Sequence, residues 1–202
     1  EMLKDKNKSA YFLFFLFAAI FVIIAFKGLK NPQPGDENVY YYMARMISEG
    51  KVPYRDFFYA HPPLHIYLIA LIYKIFGFNI VMLKSIPLVS TLIAAFFIFK
   101  TAKEKFGSYE AIASSLLFLF SYSVMFNSVF SFGIDIAAML VVIGFYFFWV
   151  KGNYTLSGVF FGLAGVTRLL SLIPILAILA AVFMSGRKNF AKLILPFLAV
   201  FL

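Results

Sequence analysis

Long apolar runs separated by short polar stretches are the dominant pattern of this chain. Such runs approach the ~20 residues that an α-helix needs to cross a bilayer, and lipid offers backbone groups no partner except the helix itself. The clear runs are Tyr11–Phe26, Ile80–Phe99, Tyr109–Phe126, Ile134–Val150 and a last one from about Phe190. The pattern therefore predicts an all-α fold, a polytopic transmembrane helical bundle that forms a single domain over residues 1–202.

Two further apolar segments are less simple. Thr155–Met184 has 30 residues and would be roughly 45 Å long as a helix, so we interpret it as two crossings that turn near Arg168. Pro63–Phe76 is short and contains His65 and Lys74, so it either crosses or lies at the membrane surface. With the surface placement the chain has about seven spans and two interfacial helices.

Composition supports a membrane protein and excludes several other classes. Apolar residues make up 63 % and aromatic residues 20 % of the chain, unlike a typical soluble domain. The net charge of +9 does not indicate nucleic-acid binding, because the basic residues lie in short clusters between apolar runs. The absence of cysteine excludes disulfides and thiolate metal sites.

The basic clusters also predict an orientation. If Pro63–Phe76 lies at the surface, the side that holds the N-terminus carries ten of the eighteen basic residues; if it crosses, that side carries six. The positive-inside rule favours the surface helix, with a cytoplasmic N-terminus, and we expect a prokaryotic plasma membrane rather than the endoplasmic reticulum. Asp135 then lies on the same outer side as Asp36, Glu37 and His61.

The first outer loop, residues 30–77, is the main polar stretch. Pro32, Pro34 and Gly35 predict a turn, and Asp36 or Asn38 is then placed to cap a surface helix. Its predicted apolar face consists of Val39, Tyr42, Met43, Met46 and Ile47. We interpret Tyr40–Tyr42 as an interfacial aromatic belt. The pair Pro62-Pro63 predicts the start of the second helix.

Acidic side chains are costly beside hydrocarbon, so the presence of Asp36 and Glu37 needs an explanation. Asp36 either caps the helix or takes part in a chemical reaction. His61 and His65 are four residues apart, but no third ligand accompanies them, which disfavours a metal site made by this pair.

The order of several short motifs resembles the GT-C fold glycosyltransferases that use a lipid-phosphate-linked sugar. These include the protein O-mannosyltransferases and the lipid A aminoarabinose transferases. The resemblance is carried by Asp36-Glu37-Asn38-Val39-Tyr40-Tyr41, Ala44-Arg45, Glu49-Gly50, His61-Pro62-Pro63-Leu64, Asp135 and the glycine-rich stretch Gly158–Arg168. Ala60-His61 stands where the aminoarabinose transferases carry Glu-Lys, so the mannosyltransferase branch is the better match. The family's larger C-terminal part has no counterpart here, and we expect an N-terminal fragment of a longer protein.

The resemblance implies transfer of a mannose-like hexose from a polyprenyl-phosphate carrier to a protein or glycolipid acceptor at the outer membrane face. Asp36 is then the expected base, and Glu37 supports it or orients the acceptor. The expected substrate- and phosphate-binding residues are His61, Asp135, Arg168 and Lys84. Lys84 has the alternative of simply reaching the membrane interface. A divalent cation is left open.

Two other functions remain open at this point. A transporter or lipid flippase would use Asp135 and Arg168 to line a path through the membrane. A non-catalytic membrane scaffold would retain the fold without the chemistry. Gly158 and Gly162 have the spacing of a helix-packing pair.

Overall fold

The computed structural model describes residues 2–30 and 35–202, with side chains described for all of these except 2–7, 185, 187 and 188. This part of the chain is all-helical. Its ten α-helices are α1 (Met2–Leu29), α2 (Asp36–Ser48), α3 (Leu64–Phe76), α4 (Ile80–Lys105), α5 (Ser108–Leu119), α6 (Tyr122–Asn127), α7 (Ile134–Trp149), α8 (Tyr154–Gly165), α9 (Leu172–Ser185) and α10 (Arg187–Phe201).

Two helices in the described part of the chain are long and apolar enough to cross a membrane. These are Lys8–Leu29 within α1 and Ile80–Lys105, which is α4. Large apolar side chains of α1, such as Phe12 and Ile23, are about 70 % exposed. An exposed apolar surface on a membrane-length helix is typical of contact with lipid.

Three apolar clusters hold the bundle together. Phe14 of α1 and Phe99 of α4 belong to the first, which also includes buried residues of α5. Phe161 of α8 and Leu193 of α10 belong to the second, together with residues of α7 and α9. The third joins α2 and α3 to the start of α4. The first two clusters form the body of the bundle, and the third attaches the two loop helices to it.

Glycines allow α8 to pack closely against α10. A Cβ atom added at Gly158 would lie 2.2 Å from the carbonyl oxygen of Leu193, and one added at Gly162 would lie 2.7 Å from Val200. The predicted helix-packing role of these two glycines is confirmed, because any larger residue would push the helices apart.

The helix ends form two chemically different ends of the bundle. At the lysine end, the ammonium of Lys103 lies 3.8 Å from the ring centre of Tyr11, so the C-terminus of α4 meets the start of α1. At the other end, Lys84 donates to the carbonyl oxygen of Gly28 over 3.2 Å, so the start of α4 meets the end of α1. We call this second end the site end.

Both ends of helix α3 lie at the site end. The backbone N–H of Leu64 donates to the carbonyl oxygen of Val166 over 3.0 Å, which attaches the start of α3 to the end of α8. Gly77 ends α3 with a φ of 64°, a conformation that glycine adopts without strain. Asn79 then caps α4 by accepting from the backbone N–H of Met82. Lys84 follows one turn later, so residues 77–79 bring the chain back to the site end.

Several sequence predictions are confirmed in the fold. Helices α3, α4 and α7 cover the predicted runs, and α4 continues six residues beyond Phe99. Thr155–Met184 is indeed interrupted near Arg168, where α8 ends and a 3-10 turn at Leu169–Ser171 leads into α9. The turn predicted at Pro32 and Pro34 lies outside the described residues.

Other predictions were wrong. Tyr109–Phe126 is not one continuous helix but two, because α5 ends at Leu119 and Ser121 is extended before α6. The predicted apolar face of α2 is only partly buried: Met43 and Ile47 pack against the third cluster, whereas Val39 and Tyr42 are exposed. The fully buried positions of α2 are Glu37, Tyr40, Tyr41 and Ala44. Glu37 faces inward because it pairs with the buried Lys84. Such a pairing cannot be inferred from the periodicity of apolar residues.

Candidate functional site at one end of the bundle

Five segments meet at the site end. They are the start of α2, the loop 49–63, the start of α3, the loop 128–133 and the residues that follow α8. Gly35 precedes α2 as its N-cap and makes no side-chain cap. Asp36 therefore occupies the first helical position and does not cap the helix, contrary to one of the two predicted roles. Its side chain is exposed.

Glu37 and Lys84 form a completely buried ion pair. The Nζ atom of Lys84 lies 3.2 Å from Oε2 of Glu37, and both side chains have no exposed surface. Oε1 of Glu37 accepts from the hydroxyl of Tyr41 over 2.9 Å and from the backbone N–H of Ser131 over 3.1 Å. Together with the bond from Lys84 to Gly28, this buried ion pair connects α1, α2, α4 and the loop 128–133.

Tyr40 is the centre of a second group of residues. Its hydroxyl lies 3.1 Å from Nε2 of His61, and its ring centre lies 5.3 Å from that of His65 in an edge-on arrangement. The guanidinium carbon of Arg168 lies 6.0 Å from the same ring centre, within the range of a cation–π contact. Tyr40 and Tyr41 are both buried, so the predicted aromatic belt was wrong for these two tyrosines.

Arg168 lies between this group and an apolar cavity. Its Nε donates to the carbonyl oxygen of Phe132 over 2.5 Å, and its Nη2 donates to the same oxygen. It is half-buried and lines a cavity of about 390 Å³, together with Ala137 and Val141 of α7 and Pro174 of α9. A fixed cation therefore stands at the edge of an apolar space.

Asp135 is buried, and none of the described residues completes a hydrogen bond to its carboxylate. It lies in the first turn of α7 and is only 6 % exposed. The backbone N–H groups of Asp135 and Ile136 and the charge of Arg168 face it without completing a hydrogen bond. Buried carboxylates are nearly always paired. This one is thus available to a group that enters the site.

His65 and Ser131 share this property. Nδ1 of His65 lies 3.2 Å from the hydroxyl of Tyr59. Within the part of the chain that the structure describes, Nε2 of His65 and the Oγ atom of Ser131 make no hydrogen bond. Gly133, which has a φ of 76°, lies directly against His65: an added Cβ would approach the imidazole to 2.7 Å. We refer to Asp135, His65 and Ser131 as the unpartnered cluster.

Burial and two nearby charges act on the pKa of His61. Burial lowers its pKa, and the positive charge of Arg168 lowers it further, whereas the carboxylate of Asp36 opposes both effects. Asp36 and Arg168 are therefore both within electrostatic reach of this histidine. At neutral pH His61 is an uncharged imidazole, which can either donate or accept the hydrogen bond with the hydroxyl of Tyr40.

The structure separates the six predicted site residues into two groups. One group lies around Tyr40: His61 and Arg168 contact this tyrosine, and Asp36 and Asp135 lie near these two residues. The other group is the buried ion pair of Glu37 and Lys84. Tyr40, Tyr59 and His65 are additional residues of the site that the sequence did not single out for it. The signal for His65 was present, since His61 and His65 are four residues apart.

No group of three potential ligands for a metal ion occurs among the described residues. His61 and His65 instead contact two different tyrosines, Tyr40 and Tyr59.

The described part of the chain is an all-helical bundle, and two of its helices are long and apolar enough to cross a membrane. A family model described as dolichyl-phosphate-mannose-protein mannosyltransferase matches residues 60–202. Because the match covers more than half of the chain, the protein belongs to this family of glycosyltransferases. No curated protein and no solved structure matched the chain. The matched part contains His61, Lys84, Asp135 and Arg168, whereas Asp36 and Glu37 precede it.

Proposed function

We propose that the protein transfers a mannose-like hexose from a polyprenyl-phosphate carrier to a hydroxyl group of a protein or glycolipid acceptor. The observation that carries the proposal is the position of Arg168, a cation that lines an apolar cavity at the same end as the exposed carboxylate of Asp36. A lipid phosphate has both chemistries, an anionic head and an apolar tail. Family membership supports this choice over a transporter or a scaffold.

The charges of the two ends support an orientation. The lysine end carries Lys100, Lys103, Lys105 and Lys151, and we place it at the cytoplasmic face. The site end then faces the outer side of the membrane. In this proposal about seven helices cross the bilayer. Helices α2 and α3, within the outer loop 30–77, lie at the surface, and the N-terminus is cytoplasmic.

The donor would bind through the cation and the apolar cavity. Arg168 provides a planar donor group suited to phosphate oxygens. Its present partner, the carbonyl oxygen of Phe132, occupies only part of its donor set. His61 is the second donor to the phosphate. Asp135, with two free carboxylate oxygens, would accept hydrogen bonds from hydroxyl groups of the sugar.

The chemical step then requires a base and a stabilised leaving group. The acceptor oxygen attacks the anomeric carbon, the bond from this carbon to the phosphate oxygen breaks, and the bonding electrons leave with the polyprenyl phosphate. Asp36 takes the proton of the acceptor hydroxyl. Arg168 and His61 stabilise the negative charge on the departing phosphate.

Glu37 and Lys84 would act by positioning. Lys84 contacts Glu37 and Gly28 from a completely buried site. The buried ion pair fixes the first turn of α2, and Asp36 is the neighbouring residue of that turn. The proposal therefore assigns the phosphate to Arg168 and His61 and gives Glu37 and Lys84 the support of the base.

Asp36→Asn tests the proposal, with Glu49→Gln at the other end of α2 as the matched control. Removing the general base should lower the rate of hexose transfer by about 10²–10⁴-fold, measured with a polyprenyl-phosphate-linked hexose and normalised to membrane-inserted protein. Glu49 is exposed and pairs only with Arg45 four residues away among the described contacts, so its substitution should leave the rate unchanged. Transfer by Asp36→Asn at the parental rate would refute the assigned role.

A further inference from the structure

An apolar groove opens at the lysine end and shares Val141, Val142 and Pro174 with the cavity beside Arg168. It has a volume of about 450 Å³ and runs between α4, α5, α7 and α9, with Thr101, Ala102, Phe106, Phe145, Ala177 and Ile178 among its walls. The walls belong to four helices whose other faces are packed in the bundle. The groove is thus an apolar surface without a partner within the described residues.

Aromatic residues and a lysine surround the mouth of this groove. The ring centre of Trp149 lies 5.7 Å from that of Phe106 and 5.3 Å from that of Phe145. The ammonium of Lys105 lies 5.4 Å from the ring centre of Trp149. Tryptophan with a basic residue at the end of a membrane-length helix is typical of the level of lipid headgroups.

The charge around the mouth is strongly positive. Lys100 and Lys103 lie over the rings of Tyr146 and Tyr11, and among the described residues neither they nor Lys105 form an ion pair with a carboxylate. The nearby carboxylate of Glu104 is already bound by Lys151 over 3.1 Å and by the hydroxyl of Tyr146 over 2.9 Å. Cation–π contacts hold these ammonium groups without neutralising them.

We infer that the groove and its rim form a binding site for an anionic phospholipid. One acyl chain lies in the apolar groove, and the headgroup phosphate contacts Lys105 above Trp149, with Lys100 and Lys103 adding to the positive field. Charge complementarity selects an anionic over a zwitterionic headgroup, because only the former gives a net attraction to unpaired lysines. Because the apolar walls continue into the cavity beside Arg168, the headgroup contacts at the lysine end are what distinguish this site from the proposed donor site.

The chain offers its own probe, because Trp149 is the only tryptophan. The full chain in phosphatidylcholine nanodiscs is titrated with phosphatidylglycerol that carries brominated acyl chains, and quenching of the tryptophan fluorescence is followed. We expect saturable quenching that unlabelled phosphatidylglycerol reverses. Brominated phosphatidylcholine should quench only in proportion to its amount.

Lys105→Ala is the test variant, and Lys51→Ala, an exposed lysine in the loop 49–63, is the control. Loss of one lysine near an anionic headgroup should weaken the apparent affinity about fivefold, whereas the control should titrate like the parent. Equal quenching by both brominated lipids, or an unchanged titration of Lys105→Ala, would overturn the proposal. Displacement by polyprenyl phosphate but not by unlabelled phosphatidylglycerol would overturn it too, because the groove would then hold the carrier.

Discussion

Two buried carboxylates at the same end of the bundle have opposite environments. Glu37 accepts hydrogen bonds from Tyr41 and Ser131 and pairs with Lys84, so both of its oxygens are occupied. Asp135 is almost as buried, and neither of its oxygens makes a hydrogen bond. A satisfied buried charge holds elements together, whereas an unsatisfied one is retained at a cost that binding of a ligand can offset. We therefore expect Glu37 to support the fold and Asp135 to serve the proposed reaction.

The largest expected effect follows from breaking the satisfied pair. Lys84→Met leaves the carboxylate of Glu37 buried without its cation, and this should lower the free energy of unfolding by about 3–5 kcal/mol. The melting temperature of the purified protein in detergent measures the loss. The double variant Glu37→Leu with Lys84→Met removes both charges and should recover much of it. A single variant as stable as the parent would mean that the pair does not connect α2 to the bundle.

A smaller effect is expected at the glycine that lies against the unpartnered cluster. Gly133→Ala introduces a methyl group 2.7 Å from the ring of His65 at a φ of 76°. Backbone strain alone costs about 1–3 kcal/mol, and the displaced imidazole should also reduce transfer.

Gly152→Ala is the matched control for this substitution. Gly152 has a φ of 63° with no atom within 4 Å of an added Cβ, so the control shares the backbone strain without the collision. Thermal melts of the two variants give the difference. Equal melting temperatures and equal transfer would show that the contact with His65 is unimportant.

The smallest expected effect is the pH response of His61. Its folded-state pKa lies below the ordinary value because of burial and Arg168, with Asp36 opposing. The unfolded chain therefore takes up this proton first as the pH falls through about 6.5, and stability decreases toward acid. His61→Gln removes this contribution, so its melting temperature should fall less between pH 7.5 and pH 5.5. Parallel melting curves for parent and variant would contradict the assignment.

Much of the fold follows from the apolar pattern, because lipid leaves helices as the only spanning element. The bounds of α3 and α7 and the start of α4 were predicted closely, as was the interruption near Arg168. The break between α5 and α6 was not, since Phe120 and Ser121 carry no proline or glycine signal. The fully buried positions of α2 were also missed, because they depend on an ion pair between residues 37 and 84, which lie on different helices.

The site was predictable as a set of residue types but not as two groups. Polar residues in an apolar chain are conspicuous, and the six predicted ones all lie at the site end. Whether a carboxylate is satisfied depends on contacts between distant segments, as between Glu37 and Ser131. The role of Tyr40 was hidden for the same reason, since its contacts with His61 and Arg168 join three segments.

The most direct test of the comparison is to measure stability and hexose transfer together in one preparation of Asp135→Asn. Because no described residue completes a hydrogen bond to the carboxylate, we expect a melting temperature at or above that of the parent. Because the sugar loses a charged acceptor, we expect transfer to fall by roughly tenfold or more, the size of one charged hydrogen bond. A lower melting temperature with undiminished transfer would contradict the role proposed for Asp135, since this residue would then support the fold as Glu37 does.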